Sequence, residues 1–227
     1  MAKFDLAILG GGPGGYVAAI RSAQLGLKTC IIDKEKLGGI CLNWGCIPTK
    51  ALLKNAEVYH TIKHADTYGI KVENVSVDFK KNIQRSRDIS NRLSKGIEFL
   101  MKKNKITHIT GIGKLTSKTS LEVKNKQKTD TIEADKIILA TGARPKSFPG
   151  MEFDGDRVIS FKEAMILDSP PKKMIIIGSG AIGSEFAYYY NEFGTEVHMI
   201  EMLDRILPIE DADVSKEVEK SFKKSNI

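Results

Sequence analysis

Gly10-Gly11-Gly12-Pro13-Gly14-Gly15 follows the apolar run Leu6-Ala7-Ile8-Leu9, and this junction decides the fold of the chain. The apolar run is typical of a buried strand, and residues 16–24 read as a helix. A second apolar run, Thr29–Ile32, ends at Asp33. Strand, glycine-rich turn, helix, strand and terminal acid together form the βαβ pattern that binds dinucleotides.

The glycines of this motif have separate physical roles. Gly10 permits the tight turn, Gly12 lets the backbone approach a pyrophosphate, and Gly15 lets the helix pack closely against the strand. The N-terminus of the helix faces the phosphates, because its N–H groups and its dipole both favour an anion. We expect Asp33 to accept hydrogen bonds from ribose hydroxyls.

The same pattern recurs in the last third of the chain. Lys173–Ile177 reads as a strand, the motif Gly178-Ser179-Gly180-Ala181-Ile182-Gly183 follows it, and a helical run covers 184–193. A further strand, Glu196–Ile200, ends at Glu201. Glu201 lies 21 residues after Gly180, as Asp33 lies 21 residues after Gly12. Two fingerprints with equal spacing imply two dinucleotides, and the carboxylate of Glu201 favours NAD because it would repel the 2′-phosphate of NADP.

Two cysteines stand five positions apart in the stretch Gly38–Lys50. In a straight helix such residues are offset by roughly 7.5 Å along the axis, more than the roughly 4.4–6.8 Å between the Cα atoms of a disulfide. If Cys41 and Cys46 are bonded, the helix between them is therefore broken, and Gly45 is predicted to allow the break. Pro48 favours a helix from about Thr49, which leaves Cys46 near a helix N-terminus that stabilises a thiolate.

Spacing alone leaves open a structural disulfide or two buried thiols. The chain has three cysteines, no secretory signal peptide and no apolar run of membrane-spanning length. These features predict a reducing cytoplasm, where a close cysteine pair is more often catalytic or metal-binding. We expect no metal, because Cys30 lies in an apolar strand and the histidines, His60, His64, His108 and His198, are scattered.

The net charge of +7 is concentrated in one region. The stretch Lys71–Lys128 holds 15 Lys or Arg against 5 Asp or Glu. It includes a predicted helix over Ile83–Met101, with Ile89, Leu93, Ile97, Leu100 and Met101 on one face. Its only aromatic residues, Phe79 and Phe99, are predicted to be core positions, so the aromatic interleaving of a nucleic-acid site is missing. A solvated lysine-rich surface is the favoured interpretation, and an acidic protein partner is the alternative.

The segment between the two motifs, about Ile106 to Thr141, contains several predicted strands. Short runs cover 108–115, 120–124 and 131–134, and an apolar strand over 136–140 ends in Thr141-Gly142-Ala143. Pro145, Pro149 and Gly150 then mark a linker. We therefore predict an α/β chain of two Rossmann-like dinucleotide-binding units, with the boundary between them near residue 149.

With both motifs and the cysteine pair considered together, the chain resembles the pyridine nucleotide–disulfide oxidoreductases, flavoproteins with a redox-active disulfide. Within that family it is most similar to the branch that oxidises dihydrolipoamide for the 2-oxoacid dehydrogenase complexes. The matching stretches are Gly38–Lys50, residues 140–143, residues 178–185 and residues 201–208. The resemblance implies an FAD-binding domain over 1–149 and an incomplete NAD-binding domain over 150–227. It also implies FAD and NAD as cofactors and the lipoyl group of such a complex as partner.

The resemblance also implies roles for individual residues. Cys41 would be the thiol that exchanges with the lipoyl disulfide, and Cys46 would lie against the flavin as a charge-transfer thiolate. Lys50 and Glu185 would form a pair beside the flavin. The residues implied in contact with the cofactors are Gly10, Gly12, Pro13, Gly14, Gly15, Asp33, Lys34, Gly39, Lys50, Gly113, Thr141, Gly142 and Ala143 for FAD, with Glu185 beside the flavin through Lys50, and Gly178, Gly180, Ala181, Ile182, Gly183 and Glu201 for NAD.

In the family, further segments complete the NAD domain and add an interface domain, which forms the homodimer and supplies a histidine base. None of the four histidines here stands in such a motif, so we expect little turnover from these 227 residues alone. Three alternatives stay open at this point. They are another member of the disulfide reductases, a dinucleotide-binding module without turnover, and an interaction protein that uses the basic stretch. We expect no nucleic acid and no membrane as partner.

Overall fold

The computed structural model describes residues 2–126 and 128–227. It divides into two units, of which the first runs to Pro48 and resumes over Arg87–Lys146, and the second comprises Thr49–Ser86 and Ser147–Ile227. The predicted boundary at residue 149 lies close to the last of these changes, but the second unit also takes in Thr49–Ser86. The assignment of FAD and NAD to 1–149 and 150–227 stays a prediction.

The first unit is built on a six-stranded sheet. Its strands are β1 (Ala2–Leu9), β2 (Thr29–Asp33), β3 (Thr107–Thr110), β4 (Ile112–Leu115), β5 (Ser120–Lys124) and β6 (Thr129–Leu139), in the spatial order β3-β2-β1-β6-β5-β4. The four strands β3, β2, β1 and β6 are parallel, and β4 and β5 are antiparallel. Helix α1 (Pro13–Gln24) connects β1 to β2, and α2 (Gly39–Trp44) follows β2.

The two faces of this sheet have separate cores. Along β2, Cys30 and Ile32 point to one core and Ile31 to the other, which is the alternation that a strand buried on both faces requires. One core takes in Leu121 of β5 and Ile132 of β6, and the other takes in Ala19 of α1 and Met101. Burial raises the pKa of the Cys30 thiol to about 12, which confirms that this cysteine is strand core.

The second unit contains the repeat of the βαβ pattern. Strands β7 (Lys173–Ile177) and β8 (Glu196–Ile200) are parallel and joined by α6 (Ala181–Glu192). Its other elements are α7 (Ala212–Lys224), the four-residue α5 (Phe161–Ala164) and a 3₁₀ turn over Ala65–Tyr68. The buried rings of Phe79, Tyr189 and Tyr190 form its aromatic core, and the Tyr190 hydroxyl donates to the carbonyl of Ala164.

Two helices run through the points where the chain passes between units, α3 (Cys46–Lys63) and α4 (Phe79–Lys103). The observed helix α4 is longer than the predicted one, which covered only Ile83–Met101. Phe79 is buried as predicted, and on the predicted apolar face Met101 is buried while Ile97 and Leu100 pack against the core. Leu93 of that face is 38% exposed, and Phe99, predicted to be a core position, is 63% exposed. Three serines are also buried on this helix, Ser86, Ser90 and Ser94. Ser94 satisfies its hydroxyl by donating to the carbonyl of Leu37 at 2.7 Å.

Two strand boundaries in the first unit also differ from prediction. The predicted run over 108–115 is split at Gly111, which donates to the carbonyl of Asp33 at 2.9 Å and turns the chain from β3 into β4. The runs over 131–134 and 136–140 form the single strand β6, because its pairing with β1 continues past residue 135.

Fourteen of the fifteen basic residues in Lys71–Lys128 are exposed, and the fifteenth, Arg87, is half-buried over the ring of Trp44. Among the residues that the structure describes, no helix has both the length and the apolarity needed to cross a membrane.

One steric contact predicts a measurable difference between two glycines. A Cβ at Gly15 would lie 1.8 Å from the carbonyl oxygen of Gly10, whereas a Cβ at Gly96, inside α4, meets nothing within 4 Å. We expect Gly15→Ala to lower the free energy of unfolding by about 1–3 kcal/mol or more. Gly96→Ala is the matched control and should raise it by about 0.5–1 kcal/mol, because alanine is the better helix former. Chemical denaturation measures both, and equal effects of the two changes would contradict the contact.

Candidate functional site

The glycine turn of the first unit lies at the carboxyl edge of the parallel strands. The amide of Gly10 donates to the carbonyl of Ile32 at 2.8 Å, and the amide of Ala140 donates to that of Leu9 at 2.8 Å. The ends of β1, β2 and β6 are thereby brought to one edge. Gly10, Asp33 and Thr141 follow these three strands, and ligands of open α/β sheets bind at such an edge.

Some glycines of the two motifs are required by the fold, and others are not. Gly10 has a φ of +112° and a Cβ there would lie 2.1 Å from the carbonyl oxygen of Ala140, so the fold demands glycine. Gly12 has an ordinary φ of −75°, and a Cβ would meet only the Cα of Gly39, at 3.8 Å. Gly180, its counterpart, has a φ of −66° and nothing within 4 Å. The space in front of Gly12 and Gly180 is the space that the pyrophosphate of a dinucleotide requires.

The helices that begin at these glycines are open to an anion. Neither α1 nor α6 has a side-chain cap or an acidic residue in its first turn. By contrast, Ser160 caps α5 and Asp211 caps α7 through their side chains, and both helices carry an acid in the first turn. Helix N-termini left without a capping side chain attract phosphate groups. Pro13 at the first turn of α1 and Ala181 at the first turn of α6 leave these ends open.

Asp33 closes the glycine turn of the first unit. Its Oδ2 accepts from the amide of Gly11 at 2.5 Å and its Oδ1 accepts from the amide of Glu35 at 2.8 Å. Lys34, between them, is exposed and 4.0 Å from the carboxylate of Glu35. An ionised carboxylate has about four acceptor positions, so Asp33 has two that its own chain does not fill.

Glu201 closes the turn of the second unit in the same way but with more donors. Its Oε2 accepts from both the amide and the hydroxyl of Ser179, at 2.8 and 2.7 Å. Its Oε1 accepts from the amides of Met202 and Leu203, at 2.8 and 3.0 Å. These bonds, the Ser179 amide first, lower the pKa of the Glu201 carboxyl to about 2. The sequence interpretation missed Ser179, which stands at a variable position of the motif and therefore gave no signal.

The remaining predicted residues of the first unit lie around the same turn. Gly39 begins α2, and a Cβ there would lie 2.6 Å from the Cα of Gly12. Gly14 lies in α1, beside the Cβ of Ala140. Residues 141–143 are exposed directly after β6. Gly113 lies in β4, where a Cβ would come within 2.4 Å of the Leu9 side chain, so packing already accounts for this glycine.

The remaining residues of the second motif occupy the same positions around its own turn. Gly178 has a φ of +96° and donates to the carbonyl of Ile200 at 2.8 Å, as Gly10 does to Ile32. Gly183 repeats Gly15, since its Cβ would lie 2.1 Å from the carbonyl oxygen of Gly178. Ile182 is exposed in the first turn of α6.

The cysteine pair lies on both sides of a helix break. Cys41 belongs to α2 and is half-buried, whereas Cys46 is the first residue of α3 and is exposed. Gly45 separates the helices with φ −141° and ψ −118°, so the predicted break is present without a positive φ. The predicted helix start at Thr49 was three residues late, because Pro48 lies inside the first turn. Asn43 secures the turn before α2 by donating to the carbonyls of Leu37 and Gly39, at 3.2 and 3.0 Å.

Lys50 and Glu185, which the sequence places 135 positions apart, form an ion pair in the second unit. The Glu185 side chain is 24% exposed and that of Lys50 is 64% exposed. A second charged cluster joins the same two helices farther along. The buried carboxylate of Glu192 pairs with Lys63 Nζ at 2.7 Å and with His60 Nδ1 at 3.0 Å. The sequence interpretation predicted the first pair and missed the second.

Comparison with known proteins places these features in one family. A family model described as pyridine nucleotide-disulphide oxidoreductase matches residues 4–227. The chain belongs to this family. Members of the pyridine nucleotide-disulphide oxidoreductases use FAD and NAD, which agrees with two open-ended βαβ turns in one chain.

Similar proteins agree in name and in fold. Dihydrolipoyl dehydrogenase of Zymomonas mobilis is 49% identical over 225 residues, which cover 99% of this chain and 48% of that protein. Dihydrolipoyl dehydrogenase of Bacillus subtilis is 46% identical over 234 residues, with 99% and 49% covered. The crystal structure of LpdA from Mycobacterium tuberculosis superposes with a TM-score of 0.90 at 28% identity and covers 100% of this chain and 50% of that one. The α/β fold of Rossmann type is thereby confirmed, and the chain spans about half the length of the curated relatives it matches.

The carboxyl of Glu201 is predicted to stay ionised well into acid. Its pKa in the folded chain is about 2, below its ordinary value of 4.5. The hydrogen bonds to the carboxylate therefore stabilise the fold above pH 4.5, and this contribution is lost as the pH falls through 2. Carbon-13 NMR of the Glu201 carboxyl from pH 7 to 3 should show little protonation, whereas in urea it should titrate near 4.5. Titration near 4.5 in the folded chain would contradict the four-donor geometry.

The cluster at Glu192 is predicted to stabilise the second unit. Glu192→Gln removes the buried charge that Lys63 and His60 contact, and we expect a loss of about 1–3 kcal/mol in the free energy of unfolding. Glu219→Gln is the control, because Glu219 pairs with Lys223 on the exposed surface of α7. That change should cost under about 0.5 kcal/mol. A loss at Glu192 no larger than at Glu219 would show that the cluster contributes nothing.

Proposed function

We propose that this chain carries the flavin, dithiol and nucleotide-binding parts of an enzyme that oxidises dihydrolipoamide and reduces NAD. The observation that carries the proposal is the pair of glycines, Gly12 and Gly180, that the fold itself does not need. Each stands at the open N-terminus of a helix, and each is followed after 21 residues by an acid that closes the turn. The cysteine pair beside the first turn supplies the redox chemistry.

The first unit supports FAD. A pyrophosphate would lie before Gly12, where the N-terminus of α1 meets the close-packed Gly39. Asp33 offers two acceptor positions to ribose hydroxyls, and Thr141, Gly142 and Ala143 lie exposed at the same edge of the sheet. FAD, when bound, supplies the two-electron chemistry that links a thiol pair to NAD.

The proposed thiol chemistry balances within the cysteine pair and the substrate. One thiolate of dihydrolipoamide attacks the sulfur of Cys41, the Cys41–Cys46 bond breaks, and Cys46 leaves as a thiolate. The second thiol of the substrate then attacks the substrate sulfur that is bonded to Cys41. This step closes the lipoamide ring and releases Cys41 as a thiol. Two electrons now reside on the cysteine pair. As the first residue of α3, Cys46 is the better leaving group, because the helix N-terminus favours its thiolate.

The second unit supports NAD. The turn Gly178–Gly183 leaves room for a pyrophosphate, and the ionised Glu201 beside it disfavours the 2′-phosphate of NADP. Lys50 and Glu185 form a charge-neutral pair, and we propose that this pair lies beside the flavin. The ion pair with Glu185 holds the ammonium group of Lys50 in place. A side chain that contacts a cofactor needs such a fixed position.

The wider setting of the enzyme is part of the same proposal. The names of the relatives identify dihydrolipoyl groups as substrate, and we propose that the lipoyl group of a 2-oxoacid dehydrogenase complex is the partner here. We also propose a homodimer in the cytoplasm, with the histidine base supplied outside these 227 residues. A disulfide reductase for another substrate is the alternative within the family.

The proposal predicts a spectroscopic response to a dithiol. The purified chain, incubated with FAD and freed of excess, is titrated anaerobically with dihydrolipoamide. We expect a flavin spectrum that develops a long-wavelength band as the Cys46 thiolate forms. Cys41→Ser should show the band without any dithiol, and Cys46→Ser should never show it.

Cys30→Ala is the control for this titration, since Cys30 is buried in the core of the sheet. It should respond as the unchanged chain does. A chain that binds no FAD, or a band that survives Cys46→Ser, would contradict the proposed function.

A further inference from the structure

The carboxylate of Glu201 has no acceptor position left for a ligand. An ionised carboxylate accepts about four hydrogen bonds, and the chain itself supplies four. Three come from the amides of Ser179, Met202 and Leu203, and the fourth comes from the Ser179 hydroxyl. A ribose hydroxyl can therefore reach this carboxylate only by displacing one of them.

The four donors differ in how readily they can move. The three amides belong to the backbone of the turn, and displacing any of them requires the turn to open. Ser179 is fully buried, and its hydroxyl can yield its place only by rotating about the one side-chain bond while the backbone stays where it is. The hydroxyl is therefore the donor that a ribose displaces.

The first unit shows the same turn without this extra donor. Gly11 stands where Ser179 stands, and its amide donates to Asp33 as the amide of Ser179 donates to Glu201. Asp33 keeps two acceptor positions that the chain does not fill. The two acids therefore differ by two donors, the hydroxyl of Ser179 and one of the two amides that follow Glu201.

We propose that Ser179 is a specificity-determining residue that weakens nucleotide binding at the second unit. Its hydroxyl occupies the acceptor position on Glu201 Oε2 that a ribose 2′-hydroxyl takes in the complex, and has to yield it on binding. The ligand class is an adenine nucleotide with a free 2′-hydroxyl. The inference rests on the proposed function in assigning the second unit to NAD.

The consequence is a looser site that still selects for the 2′-hydroxyl. A nucleotide that has to displace a donor dissociates more readily than one that meets an open carboxylate. For a redox enzyme whose nucleotide product must leave after each turnover, this difference favours release. The first unit, where the cofactor stays bound, has the open carboxylate.

The test compares ADP and 2′-deoxy-ADP by titration calorimetry on the FAD-loaded chain, in which the first unit is occupied. Ser179→Ala and Ser179→Gly both remove the hydroxyl, and the second places glycine where the first unit has Gly11. We expect each to bind ADP about three- to tenfold more tightly, the effect of one hydrogen bond no longer displaced. The gain should be absent with 2′-deoxy-ADP, which has no hydroxyl to take the vacated position.

Ser184→Ala is the matched control. Ser184 is a buried serine of the same turn, but its hydroxyl donates to the carbonyl of Ser179 at 3.0 Å and not to Glu201. It should leave the ratio of ADP to 2′-deoxy-ADP affinity unchanged. The carboxyl carbon of Glu201 gives a second readout, because Ser179→Ala should raise its pKa while the three amides keep it below the ordinary value.

Each outcome decides the inference. Unchanged or weaker binding of ADP by both variants overturns it, as does an equal gain with 2′-deoxy-ADP. Absence of ADP binding in all four chains also overturns it, since the second unit would then not be a nucleotide site in this chain. None of these results alters the response to dihydrolipoamide, which tests the proposed function separately.

Discussion

In each dinucleotide unit a helix packs directly against the carbonyl of the first glycine of its motif. In the first unit the Cα of Gly15 approaches the carbonyl of Gly10, and in the second Gly183 approaches that of Gly178, so closely that no Cβ fits. This contact sets where the helix begins and directs its N-terminus at the edge of the sheet. The uncapped helix N-terminus therefore lies beside the turn that the acid at the end of the next strand closes.

The acid at the end of the second strand contributes to the fold before any ligand binds. Asp33 and Glu201 each accept the amide of the residue after the first glycine of the motif, which closes the turn across 22 residues of chain. A residue usually described as a ribose ligand is therefore also a structural element. In the proposed complexes the same carboxylate would also accept a ribose hydroxyl, and the number of donors that the chain itself supplies decides how many acceptor positions remain.

The helix that begins with Cys46 also carries the basic residues that pair with α6. Its first residue gains from the dipole of the helix, and its later residues Lys50, His60 and Lys63 pair with two glutamates of α6. Gly45 keeps this helix separate from α2, which allows the two cysteines to belong to different helices. A continuous helix would hold the two Cα atoms too far apart for a disulfide.

Predictions from local pattern succeeded where a single stretch of chain carries all the information. Both glycine motifs, the strands Ser120–Lys124, Lys173–Ile177 and Glu196–Ile200, the buried Cys30 and the helix break at Gly45 were all readable in this way. The predictions that failed concerned helix ends and faces. Helix α4 buries serines rather than the predicted Leu93 and Phe99, because neighbouring backbone, such as the Leu37 carbonyl, selects small polar side chains there.

The sequence by itself determined the α/β class, the two nucleotide turns and the residue types available for chemistry, because each depends on contacts within about thirty positions. Only the tertiary structure decided which of those residues meet. Glu192 is buried against His60 and Lys63, more than 125 positions away, and the hydroxyl of Ser179 fills the last acceptor position of Glu201. Burial and hydrogen-bond saturation depend on every neighbour at once, and a local pattern does not contain those neighbours.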